Sequence, residues 1–142
     1  MPSNLPMTWV IDFVESIGIV RATVSGKMTA DGIKTMTVEV LEESKRRDIY
    51  RCLCDCREVS LGINIAEVYA LPKELRAQGV MSYHMFALLY TDGPVTTPLF
   101  SFFGERCHAV GLSQKTFSDY DQASLWLTGI DWTISNPTCE AL

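Results

Sequence analysis

The sequence predicts one α/β domain, a mixed and mostly parallel sheet of four or five strands with about four helices, in the order β-β-α-β-α-β-α-β-α. Three observations predict it. Short β-rich runs alternate with segments whose apolar residues recur at three- and four-residue steps. Two of the runs, residues 49–56 and "YHMFALLYT" (83–91), are apolar on both faces, as a strand covered from two sides requires. Finally, 142 residues with 47% apolar content suit a single core. The domain is expected over 1–142, with its core at about 8–129 and a C-terminal tail at 130–142.

The first two runs, "MTWVIDFVE" and "GIVRATVSG", flank Ser16-Ile17-Gly18 and read as a hairpin. Thr29 is the N-cap of an amphipathic helix over about 30–46, whose inward stripe is Ile33, Met36, Thr37, Val40 and Leu41. Lys45, Arg46 and Arg47 close that helix, where cations meet the negative end of the macrodipole. Ile49 to Cys56 follows as a strand. Asn64 caps a short helix expected to run through Ala70, and Pro72 opens a second turn, "PKELRAQG". After the 83–91 strand and the turn-rich "DGPVTTP", "LFSFFGERCHAVG" reads as an apolar helix that stops near Gly111. "LSQKTF" is a short outer strand. Ser118 and Asp121 have capping-box spacing ahead of a last helix carrying Ala123, Trp126, Leu127 and Ile130, with Gly129 able to end it. The tail "DWTISNPTCEAL" has no clear periodicity.

Charge and cysteine usage narrow the function classes. A formal net charge of -5 argues against nucleic acid, which needs a basic stripe. The N-terminus lacks a basic region followed by a long apolar run, and no apolar stretch is long enough to span a membrane. Five cysteines at no secreted-type spacing suit reduced thiols in the cytoplasm.

Cys52, Cys54 and Cys56 are the most conspicuous chemical feature. Residues two apart share one face of a strand, and ~6.6 Å of backbone separates each from the next at about 3.3 Å per residue. Such a row cannot converge on a tetrahedral ion, so the thiols read as small core hydrophobes and no metal or cofactor is expected. His108 beside Cys107 is no nucleophile pair, because adjacent helix positions point about 100° apart. Asp55 and Arg57 are better placed, at the expected carboxyl end of a parallel strand, where open α/β sheets bind ligands.

"VRATVSGKMTADGIKTM", "RCLCDCREV" and "GLSQKTFSDYDQASLWL" together resemble the SpoIIAA-like proteins, relatives of STAS domains described alongside CRAL-TRIO lipid carriers. The similarity spans roughly residues 8–129. It rests on Ser25-Gly26 before a threonine-capped helix, on Leu53 and Asp55, and on Phe117-x-Asp119 followed by Ala123, Trp126 and Leu127. The resemblance implies a STAS-like sheet and no established enzymatic activity. Sporulation antagonists of the wider group are switched by phosphorylation of a loop serine. Here Asn64 stands near that place, and Ser60 lies earlier in what is expected to be the same loop.

The function expected is a non-catalytic regulatory or ligand-binding module. Asp55, Arg57, Phe102 and Phe103 are its candidate ligand-binding residues, and Ser60 and Asn64 form a candidate phosphorylation or partner loop. The wide apolar surface of the third helix suits an apolar small molecule, a second copy of the chain or a protein partner. The alternatives are a partner switch through Ser60 and a thiol-dependent enzyme.

Overall fold

A computed structural model describes residues 5–129. The apolar runs pair side by side in the order in which they occur along the chain. Strand β1 (Thr8–Val14) turns back into β2 (Ile19–Met28) as an antiparallel hairpin, and Gly18, at φ 67°, takes the left-handed turn position. Strands β3 (Arg51–Leu61), β4 (Met85–Leu89) and β5 (Ser113–Phe117) then add in parallel, giving one five-stranded sheet of order β1-β2-β3-β4-β5. Among the described residues, no helix is long and apolar enough to cross a membrane.

This strictly sequential order decides where the helices lie. Parallel crossovers are right-handed, so connections that always advance in one direction place their helices on one face. Helices α1 (Ala30–Arg47), α2 (Ile65–Ala77) and α3 (Thr96–Ala109) accordingly share a face, and α4 (Tyr120–Thr128) packs on the other. The first face buries Val20, Ala22, Val24 and the three strand cysteines beneath Met36, Val40 and Phe100. The second buries Ile19, Leu53, Ala87 and Leu89 beneath Ala123 and Leu127.

Local chemistry sets the helix limits. Thr29 accepts a hydrogen bond from the Gly32 N–H at the start of α1, and Asp48 ends it in the left-handed conformation. Arg46 and Arg47 both pair with Glu43 in the last turn. Asn64 and Glu67 form a complete capping box, each side chain accepting the other's backbone N–H.

Helix α3 starts at Thr96, inside the expected 92–98 loop, and β4 is shorter than the expected 83–91; three further boundaries differ from the sequence reading. Helix α2 is continuous through Pro72 rather than two turns. The lost hydrogen bond is offset because Pro72 is buried in one stripe with Val68, Leu71 and Leu75. Helix α4 is capped by Asp119, which accepts from the Gln122 N–H, and not by Ser118. Gly129 does end α4, at φ 72°. Ile130 and the tail lie outside the described residues.

The third difference matters most. Strand β3 continues five residues past Cys56, so Asp55 and Arg57 sit within a strand and Ser60 is a strand residue opposite Lys27, not a loop residue. A bulge makes this extension workable. Thr23 stands opposite Asp55 and Ser25 opposite Glu58, so β3 spends one residue more than β2 between those pairs. Because side chains alternate with period two, the extra residue swaps the parity. Cys52, Cys54 and Cys56 are then followed on the same apolar face by Val59 and Leu61.

Candidate functional site

The cysteine row produces space. Cys54 and Cys56 are small for core positions, and they lie under three helices whose stripes are set by larger neighbours. Between the sheet and α1–α3 a cavity of about 90 Å³ remains. Its floor is Met28, Cys54, Cys56 and Leu88, and its helical walls include Leu71 and Phe103. Ile63, Leu99 and Phe103 are only half-buried, so the cavity has a rim between the β3–α2 connection and the start of α3. The volume exceeds by several-fold the roughly 10–15 Å³ that one water needs, and it is of the order of cavities that take xenon or benzene.

The thiols in and beside this cavity are held protonated. Loss of hydration on burial pushes Cys54 up to about 12 and Cys107 up to about 12, and moves Cys52 and Cys56 up strongly as well. A thiolate, the form needed for nucleophilic attack or metal binding, is disfavoured at each. His84 is buried just before β4, where its Nδ1 accepts from the Met81 N–H at 2.9 Å, and burial lowers its pKa. No group of three or more potential metal ligands occurs among the described residues.

Two polar side chains, Thr37 and Gln114, belong to the otherwise apolar lining. Gln114 enters from β5 beside Phe86, and both atoms of its amide are buried without a hydrogen-bond partner. The amide lies against α3 at Gly104, where the absence of a side chain permits the close approach; a Cβ there would come to 3.1 Å from Oε1. Thr37, also in the lining, is satisfied, its hydroxyl donating to the Ile33 carbonyl at 2.7 Å. Sequence reasoning passed over Gln114. The signal available was alternation in "LSQKTF", which puts Gln114 and Thr116 on one face and Lys115 and Phe117 on the other.

The residues singled out from sequence do not form one site. Phe103 lines the cavity. Phe102 faces away from it and stacks on Tyr69 of α2 with ring centres 6.4 Å apart, while Arg106 covers the Tyr69 ring at 3.9 Å. Asp55 and Arg57 belong to the opposite face of the sheet. There the Arg57 guanidinium donates to both carboxylate oxygens of Asp55, at 3.0 and 2.8 Å. That contact holds the Asp55 carboxyl below its ordinary value. Arg21 and Asp12 form a similar two-point pair across the hairpin, at 3.0 and 2.6 Å. Asn64 is occupied as the α2 cap.

No protein-family model matches the chain, and no curated protein matches it. Among solved structures it is similar to an uncharacterised protein of the DUF3478 family with a SpoIIAA-like fold, from Shewanella loihica PV-4. The TM-score is 0.56 at 20% identity, over 89% of this chain and 98% of that one. At that identity the likeness shows the fold alone: the chain has a SpoIIAA-like fold, as its sequence resemblance implies.

Proposed function

We propose that this chain is a non-catalytic binding module that takes a small apolar molecule between its sheet and helices α1–α3. The observation that carries this reading is the cavity of about 90 Å³ floored by Met28, Cys54, Cys56 and Leu88. A gap of this size in a close-packed interior forfeits dispersion contacts that an apolar guest would restore. Protonated, buried thiols support the non-catalytic half of the reading and weigh against a thiol-dependent enzyme.

Titration with benzene, followed by methyl and aromatic NMR, tests the binding. Saturable shifts confined to residues such as Leu71, Leu88 and Phe103 are expected. Absence of saturable shifts would remove the proposal. Iodoacetamide should leave Cys52, Cys54, Cys56 and Cys107 unmodified in the native protein, and rapid labelling of any strand cysteine would reopen the enzyme alternative.

A further inference from the structure

The two edges of the sheet are built differently. Strand β5 is five residues long and carries the exposed Lys115, a short and charged edge of the kind that resists pairing. Strand β1 is seven residues long, TWVIDFV, with no proline, no lysine and no bulge against β2. Its one charge, Asp12, is already paired with Arg21. Among the described residues no strand pairs with the outer side of β1, which leaves a row of backbone N–H and C=O groups open there. Trp9 and Ile11 pack on the α1 side, and by alternation Val10 points the other way, where it is 67% exposed.

We propose that β1 is a homodimer interface, through which two copies of the chain pair antiparallel and join their sheets into one. Helix α1 shows why the occupant is a second copy. The Trp9 indole N–H donates to the exposed Glu39 at 3.0 Å, and the Arg47 guanidinium lies 4.4 Å from the centre of the Phe13 ring. From Glu39 to Arg47 is about 12 Å of helix, and from Trp9 to Phe13 about 13 Å of strand. Helix α1 therefore follows β1 with an anionic end over Trp9 and a cationic end over Phe13. A two-fold axis at Ile11 sets Trp9 opposite the second copy's Phe13, and so brings Glu39 beside the second copy's Arg47, twice over. Parallel pairing would instead align like charges. Glu43, between the two ends, is neutralised by its own Arg46 and Arg47. On the other face the same register brings Val10 diagonally beside its copy. The cavity takes no part, so this inference does not depend on the binding role proposed above.

Sedimentation velocity on the full chain at ~1–100 μM tests the interface. The wild type is expected to dimerise in that range. Val10→Lys, a charge at an exposed edge position, should weaken association at least about tenfold while the far-UV circular dichroism stays native. Glu39→Lys and Arg47→Glu, which place like charges across the axis, should each weaken it about tenfold. An equimolar mixture of those two variants should form heterodimers about as tight as the wild type, because both cross-axis pairs are then opposite in sign. A wild-type monomer throughout the range, with the edge bare or held by residues 130–142, would overturn the proposal. So would a dimer insensitive to Val10→Lys, which would put the contact on another face such as α3. Charge variants that associate as well as the wild type, or that fail to restore each other when mixed, would overturn it too.

Discussion

The two faces of the sheet use the same strands for opposite ends. On the α4 face, Leu53 and Leu89 are fully buried against Ala123 and Leu127, and the uncovered part carries polar residues that satisfy one another, Asp12 with Arg21 and Asp55 with Arg57. On the α1–α3 face, polar residues are scarce, the small cysteines leave space, and the Gln114 amide has no partner. Paired carboxylates and guanidiniums are chemically complete, whereas an apolar gap with an unsatisfied amide is not.

Substitutions at neighbouring positions sharpen this contrast, and urea denaturation reads each of them. Leu53→Ala, on the close-packed face, should cost about 2–5 kcal/mol, since nothing can collapse into the void. Its neighbour Cys54→Val, which adds bulk toward the cavity, should stay within about 1 kcal/mol of wild type. If the two changes cost the same, the faces do not differ in packing. Gln114→Leu should stabilise the unliganded protein by about 1–3 kcal/mol by removing a buried unsatisfied amide. A loss of that size would mean that the amide has a partner. Asn64→Ala should cost about 1 kcal/mol through the α2 cap, independently of either face.

Asp55→Asn should have the smallest effect, below about 1 kcal/mol, because Arg57 is 44% exposed and its attraction is screened. Its pH dependence has a defined sign. The Arg57 guanidinium lowers the folded-state pKa of Asp55 from 3.8, so the pair's contribution is present above that value and is lost as pH falls through the lower folded value. The wild-type minus variant difference should vanish in strong acid. A difference that grew there would contradict the pairing.

Much of the fold was legible because period and capping are local. Thr29, Asn64 and the hairpin at Gly18 stand where their chemistry predicts, and the cysteine row lies flat and interior. The β3 extension was not legible, since a bulge is set by register against β2 and leaves no mark on the composition of 57–61. The site was harder still. Alternation alone separates Asp55 from Cys54, but only the sequential strand order shows that α3, with Phe103, covers the cysteine side. That same order turns Gln114 inward. A lone glutamine in a five-residue outer strand otherwise reads as solvated.

The claim that the α1–α3 face holds a receptive apolar cavity is tested most directly by diffraction from crystals of the unliganded protein under xenon pressure. The account predicts a xenon site between the sheet and the helices, in contact with Leu88 and Phe103, and none beneath α4. Xenon absent from that space, or bound only beneath α4, would contradict it.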